Sequence, residues 1–383
     1  MSEFESATEN STLKDAIVAR IGREGGITFR DFMAMSLYEP GLGYYESNRE
    51  TVGRNGDYLT SPEVSSLFGG MIGRQLREMW ETMGKPGRFQ VVEVGAGPGR
   101  LCHDVMGWAS RAAPAFAGSI DYVLVETSAA MVERQKRLLA DDRLSDSVRW
   151  SETLPRGIQG CVFSNELLDA MPVHRVAMAG GVLREVFVSW AGERFVEELR
   201  EPSTAEMPEY FDGLGMRPGE GCRAEVTLEA VRWMRDAGGG LEHGFILTLD
   251  YGYEAEQMFA PWRTDGTLLC FYRHNPSNDP YARIGRQDMT AHVDFTSMRR
   301  AGENAGLMTL GLTSQSDFLE RLGIMEALTP LAEGERDIEE YVSRRRAVTE
   351  LVDPGGLGRI RVLVQAKGVK VSGLTGLRSG DDG

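Results

Sequence analysis

Glu93, Gly95, Gly97 and Gly99 stand at alternate positions of a Glu-x-Gly-x-Gly-x-Gly stretch, directly behind the apolar run Phe89 to Val94. Glycines at such a point let the backbone turn tightly and approach a ligand with no Cβ in the way. A dinucleotide fingerprint, G-x-G-x-x-G, needs its third glycine three residues after the second, and that position is Arg100. With Ala96 inside the loop, the spacing suits instead a loop that wraps an adenosine carrying an amino-acid tail, as in S-adenosylmethionine. A second acid, Glu126, ends the apolar run that begins at Asp121 and is followed by Thr127. At the end of a second strand it would accept hydrogen bonds from the ribose hydroxyls; the alternative is a surface glutamate that opens a helix and is stabilised by the helix dipole.

Two further carboxylate-bearing stretches, Asn165-Glu166 and Asp250-Tyr251-Gly252, close later apolar runs. Ligands of open α/β sheets lie beyond the carboxyl ends of the strands, so these residues face the expected reaction crevice. Asn165 offers a donor and an acceptor toward the cofactor, and Glu166 a carboxylate; the alternative for Glu166 is a cap on a helix over Leu167 to Ala170. Methyl transfer from a sulfonium is an in-line displacement governed by positioning. A guanidinium or amine acceptor needs carboxylates to hold it, which Glu166, Asp169 and Asp250 provide. An oxygen nucleophile needs a base instead, for which His174, His274 and His292 are available.

The elements that must position these groups follow from periodicity. Leu13, Ile17, Val18 and Ile21, then Phe29, Phe32, Met33 and Leu37, recur at helical spacing, with Thr28 as N-cap. Thr60-Ser61-Pro62-Glu63 opens another helix that runs through Phe68, Ile72 and Leu76 to Trp80. Short apolar runs at Phe89–Val94, Asp121–Glu126, Val148–Trp150, Cys161–Glu166 and Phe245–Asp250 alternate with helical stretches, which implies βαβ units and a parallel sheet. Between Val173 and Leu199 the pattern changes to hairpins, with turns at Gly180-Gly181 and Ala191-Gly192-Glu193. Ile360–Gln365 reads as a final strand, and Gly373–Gly383 as a mobile tail. The fold class is α/β: a class I (Rossmann-like) sheet with an N-terminal helical cap and a β-rich insertion. The expected divisions are 1–85, cap and signature loop; 86–172, first part of the core; 173–225, insertion; 226–370, second part of the core; and 371–383, tail.

Composition bounds the partners. The 383 residues carry 42 Lys+Arg against 57 Asp+Glu, a net charge of −15. Nonspecific nucleic-acid affinity comes from clustered Lys and Arg, so no broad nucleic-acid surface is expected. Cys102, Cys161, Cys222 and Cys270 are scattered, which argues against a zinc site and for a reduced, cytoplasmic setting. No apolar run approaches the roughly 20 residues that span a bilayer, so no membrane insertion is expected. The residues leave the oligomeric state open.

Several separated stretches resemble the MidA-like S-adenosylmethionine-dependent methyltransferases. Tyr38-Glu39-Pro40 with Gly43-Tyr44-Tyr45, and Gly56-Asp57-Tyr58-Leu59-Thr60-Ser61-Pro62-Glu63-Val64-Ser65, look like the family's N-terminal signature. Asn165-Glu166-Leu167-Leu168-Asp169-Ala170-Met171-Pro172-Val173-His174-Arg175 looks like its motif after the fourth strand. Asp250-Tyr251-Gly252, Gly266-Thr267-Leu268 and Thr290-Ala291-His292-Val293-Asp294-Phe295 follow in family order. The chain departs at the glycine loop, which the family commonly writes G-P-G-R-G-T, and at Gly70, where the family has a glutamate. The resemblance implies S-adenosyl-L-methionine as cofactor. It implies an activity like that of the protein-arginine methyltransferases which assist assembly of respiratory complex I, with Thr60, Pro62 and Glu63 of the signature at the cofactor, and with Asp57 and Glu63 folding over cofactor or target as part of a lid; the alternative for Asp57, beside Gly56, is a structural turn. The acceptor stays open between a protein and a small molecule, and a binding protein that retains the fold is the alternative to an enzyme.

Overall fold

The computed structural model describes residues 9–46, 53, 56–57, 59–140, 147–329 and 338–378. Tyr58 of the signature and residues 379–383 of the expected tail lie outside the described residues. In chain order, helices α1 (Ser11–Glu24) and α2 (Phe29–Tyr38) flank the short strand β1 (Ile27–Thr28), and α3 (Ser61–Val64) and α4 (Ser66–Thr82) follow. Then come β2 (Phe89–Val94), α5 (Arg100–Ala112), α6 (Pro114–Ala117), β3 (Ile120–Val125), α7 (Ala129–Leu138), β4 (Val148–Ser151) and β5 (Ile158–Asn165). Strands β6 (His174–Ala179), β7 (Val182–Trp190) and β8 (Phe195–Arg200) are followed by α8 (Glu206–Leu214), β9 (Arg223–Val226), α9 (Leu228–Gly240) and β10 (Leu241–Asp250). The last part holds β11 (Gly252–Tyr253), α10 (Ala255–Met258), β12 (Leu269–Tyr272), β13 (Asn275–Ser277), β14 (Asp288–Thr290) and β15 (Val293–Asp294). It ends with α11 (Phe295–Asn304), β16 (Met308–Ser314), α12 (Gln315–Arg321), α13 (Ile338–Val352) and β17 (Arg361–Lys367).

These elements form two compact units. The first comprises Met1–Tyr58, Leu168–Trp233 and Tyr251–Met298, and the second Leu59–Leu167, Met234–Asp250 and Arg299–Gly383.

In the second unit a seven-stranded sheet has the order β16-β17-β10-β5-β2-β3-β4. Strands β10, β5, β2, β3 and β4 run parallel, and their interiors are apolar because helices cover both faces: Val91, Val92, Val162, Phe163 and Leu247 are fully buried. These are the five strands expected to alternate with helices. The final strand, whose direction the sequence left open, is antiparallel: β17 runs against both neighbours, β10 and β16.

The single helix expected from Pro62 to Trp80 is also broken. Ser65 is extended (φ −167°, ψ 148°), and its hydroxyl accepts from the Leu67 N–H as the cap of α4. Farther along α4, Gly69 and Gly73 admit α5 at close range: an added Cβ would lie 2.5 Å from Asp104 and 2.4 Å from Trp108, respectively. Within the stretch expected as a mobile tail, Leu374 is buried, and the Thr375 N–H and hydroxyl donate to Glu78. The Gly376 N–H donates to Gln75 at 3.2 Å. Gly/Asp/Ser content raised the expectation of mobility, and one buried leucine with these anchors overrides it.

The first unit is built on a five-stranded antiparallel sheet, β1-β7-β6-β9, with β8 on β7. Gly180 and Gly181 take φ of 62° and 75° at the β6–β7 turn, the left-handed pair that a two-residue hairpin turn requires. Helices α1 and α2 lie against this sheet: Leu13, Ile17, Phe29 and Phe32 share an apolar cluster with Val186, Val188 and Phe195. Thr28 caps α2 by accepting from the Asp31 N–H at 3.1 Å.

Candidate active site

The glycine loop leaves β2 at the carboxyl edge of the parallel strands. Gly95, Gly97 and Gly99 have φ of 68°, 51° and 88°, a region that L side chains enter only at a steric cost. Their surroundings differ. A Cβ at Gly95 would lie 2.6 Å from Leu167 Cδ1 and one at Gly99 3.3 Å from Gln135, whereas one at Gly97 meets nothing within 4 Å. Gly97 thus borders open space on the side where a side chain would project. The loop closes on itself through the Gly99 N–H, which donates to the Ala96 carbonyl at 3.0 Å, and α5 begins at Arg100.

Beside it, Glu126 follows β3. Its Oε1 accepts from the backbone N–H groups of Thr127 and Ser128, both at 2.9 Å, so the carboxylate orientation is fixed by its own chain. The Gln135 amide donates to the Gly97 carbonyl at 2.7 Å and to Glu126 Oε2 at 3.3 Å. On its other side, Gln135 Oε1 accepts from the Trp150 indole at 2.9 Å. Sequence reasoning sets Gln135 on a helix line with Met131 and Leu138 but gives it no role at the site; among Glu133, Arg134, Lys136 and Arg137 it looks like one more polar residue.

Glu93, expected among the cofactor contacts, is buried in β2, where its Oε2 accepts from the Tyr122 hydroxyl at 2.6 Å. Burial pushes its carboxyl up to about 8, against the opposing effect of the phenol. Glu93 lies in the strand that carries the glycine loop, bonded to its neighbour β3.

At the end of β5 the chain bends at Glu166, whose φ is 48°. The expected helix over Leu167 to Ala170 does not form; these residues make bends and turns. Glu166 Oε1 accepts from the Ser61 N–H and from Asn165 Nδ2, both at 3.1 Å. Its own N–H donates to the Leu249 carbonyl at 2.9 Å. Asp250, fully buried at the end of β10, accepts from the Leu167 N–H through Oδ2 at 3.1 Å. It therefore fastens the bend that carries Glu166. Thr60 precedes α3 and Pro62 lies in its first turn, and Glu63 sits 3.7 Å from Arg100 Nε at the head of α5. Ser61, whose hydroxyl donates to Gln315 Oε1 at 3.0 Å, anchors α3 within the same unit.

The remaining expected site residues belong to the first unit. Asp169 is buried, and its backbone carbonyl accepts from the Ala291 N–H at 2.9 Å. His174 opens β6, buried, with Nδ1 2.7 Å from Glu185 Oε1, and Glu185 also accepts from the Ser203 N–H. Asp57 is buried too, accepting from the Tyr44 hydroxyl at 2.9 Å and the Arg273 N–H at 2.7 Å. It holds the turn in which Arg273 and His274 take φ of 51° and 60°.

The second unit fits an adenosine with an amino-acid tail. A backbone loop with open space at Gly97, an oriented carboxylate at Glu126 and a buried acceptor lie at the carboxyl ends of β2, β3 and β5. That acceptor is Asn165 Oδ1, which has no hydrogen-bond partner among the described residues, and a buried orphan of this kind calls for a ligand or water.

Comparison with known proteins agrees with this chemistry. A family model for S-adenosyl-L-methionine-dependent methyltransferases matches residues 71–313. A protein from Burkholderia thailandensis, solved bound to S-adenosyl-homocysteine, superposes with a TM-score of 0.88 at 31% identity, over 98% of this chain and 96% of that one. The mitochondrial protein arginine methyltransferase NDUFAF7 homolog of Drosophila melanogaster is 29% identical over 401 residues, 95% of this chain and 87% of the fly protein. The human protein arginine methyltransferase NDUFAF7 is 27% identical, over 80% of this chain and 72% of its own length. The chain belongs to this family of methyltransferases, whose methyl donor is S-adenosyl-L-methionine.

Proposed function

We propose that the methyl acceptor is a guanidinium, that of an arginine in a partner protein. The observation that carries this reading is the Glu166 carboxylate, fixed in a left-handed bend by the Ser61 N–H and Asn165 Nδ2 at the carboxyl edge of the sheet. The protein arginine methyltransferases among the relatives support it. The bound donor supplies a methyl group on a sulfonium, which an incoming nitrogen attacks in line. Glu166 would pair with the guanidinium and aim one nitrogen along that line; as the C–N bond forms the methyl–sulfur bond breaks, S-adenosyl-homocysteine leaves, and the proton lost by that nitrogen passes to Glu166 and on to solvent. Glu126 takes the ribose hydroxyls, the Gly95–Gly99 loop takes the amino-acid tail, and Asn165 Oδ1 receives a donor from the cofactor. Thr60, Pro62 and Glu63 line the same edge. Asp250 acts through the backbone of Leu167, and Asp169 lies outside the set assigned to the cofactor.

A hydroxyl acceptor would need a base. His174, expected as such a base, is buried at the start of β6 with Nδ1 2.7 Å from Glu185 Oε1. Transfer of labelled methyl from the cofactor into a cell lysate, separated into protein and small-molecule fractions, tests the proposal. Label in protein, recovered as methylarginine on hydrolysis, is the expected result; label confined to small molecules would overturn it.

A further inference from the structure

Helix α7 has one buried side chain, and it is Gln135. A core-facing position on an amphipathic helix ordinarily carries an apolar residue, because a buried amide is costly unless its hydrogen bonds are made. Here they are made, and their directions are set. An indole N–H only donates, so the bond from Trp150 Nε1 fixes Gln135 Oε1 on that side and leaves the amide nitrogen facing the other way. That nitrogen donates both to the Gly97 carbonyl and to Glu126 Oε2. It bridges the loop assigned to the amino-acid tail and the carboxylate assigned to the ribose. The Cγ of the same side chain lies 3.3 Å from where a Cβ on Gly99 would stand, so it also backs the loop by contact.

We propose that Gln135 is a positioning residue for the cofactor. Held by Trp150, it locks the glycine loop and Glu126 into one spacing, so that tail and ribose are recognised together. This rests on the assignment of Gly97 and Glu126 to the cofactor. An apolar side chain at 135 would fill the same space without coupling the two. Glutamate there would set a second carboxyl beside Glu126, and like charges at that range favour protonation of one of them.

The test uses the full chain, with calorimetric titration of S-adenosyl-homocysteine and steady-state turnover. Gln135→Met is expected to weaken binding about tenfold, the scale of one or two lost hydrogen bonds, and to raise KM for the donor while kcat at saturation stays near the parent value. Trp150→Phe should weaken it in the same direction but less. Gln135→Glu should bind poorly at neutral pH and recover in part as the pH falls through the carboxyl range, where a protonated glutamate regains one donor toward Gly97 or Glu126. In the Glu126→Ala background the further loss from Gln135→Met should shrink. Where Gln135→Met fails to fold, Gln135→Glu and Trp150→Phe carry the test. If Gln135→Met binds like the parent while Glu126→Ala is impaired, the positioning role is wrong and the pocket assignment stands. Fully additive losses would likewise overturn the coupling. If neither Glu126→Ala nor Gln135→Met changes binding, the pocket assignment falls, and this proposal with it.

Discussion

Two bends at the carboxyl edge of one sheet meet the same backbone demand in opposite ways. After β2 the chain turns through Gly95, Gly97 and Gly99, all at positive φ, where glycine pays no steric penalty. After β5 it turns through Glu166, at φ 48°, with a five-carbon residue where a glycine would fit better. A left-handed L residue costs on the order of 1–2 kcal/mol, and such strain persists where the surroundings over-determine it. Here they do: the Glu166 N–H is bonded to Leu249, the carboxylate to Ser61 and Asn165, and the next N–H to Asp250. At the first bend the absence of a side chain relieves the backbone, and at the second long-range bonds to the side chain and its neighbours hold the strain in place.

That contrast can be broken most sharply at Gly97. Gly97→Val puts a branched side chain into the open space and the backbone into a conformation valine resists. Binding of S-adenosylmethionine is expected to drop by at least about 10²-fold in calorimetric titration, a loss of ~2.7 kcal/mol. Retained binding in a folded variant would mean that the open side of Gly97 is not the cofactor's. Next in size is Glu166→Gln, which keeps shape and removes charge. Turnover should fall about 10²-fold while cofactor affinity holds, because the carboxylate orients the acceptor and not the donor; unchanged turnover would reduce the bend to a structural device. Glu126→Ala should weaken cofactor binding by roughly 1–3 kcal/mol, the range for hydrogen bonds to a charged acceptor. The smallest effect sharpens the comparison directly. Glu166→Gly should melt higher than Glu166→Ala, by about 1 kcal/mol in denaturant titration, since both lose the carboxylate and only glycine relieves the φ. Equal stabilities would show that the bend is unstrained.

The difference between the bends also marks how far the sequence could be read. The strand cores were legible because parallel strands buried on both faces read as apolar runs, and the glycine loop because its spacing has a mechanism behind it. Glu166 was legible as a residue and illegible as a conformation: the Asn-Glu-Leu-Leu run carries normal helix formers, and only the long-range bonds from Ser61, Leu249 and Asp250 reveal why no helix follows. Gln135 was hidden for the opposite reason, being polar among charged neighbours on a short helix. His174 and Asp57 looked like chemistry because their types can do it. Their partners, Glu185 for the one and Tyr44 and the Arg273 N–H for the other, sit at sequence separations that no local pattern reports. Ser65 was passed over because Ser-Ser inside an amphipathic run looks like continuation, whereas its hydroxyl starts a new helix.

The reversed strand β17 has a consequence for how the protein is made. It fills the place between β10 and β16, so neither of these neighbours meets its partner on that side until residues 361–367 have left the ribosome. Strands β2 to β5 are by then long since synthesised, and chains usually fold from the amino end as they emerge. The glycine loop and Glu126 therefore emerge first. β10, whose Asp250 fastens the Glu166 bend, stays open along one edge until β17 has followed. A nascent chain can thus form the strands that carry the glycine loop and Glu126 well before the strand whose Asp250 fastens the Glu166 bend is sealed in by β17.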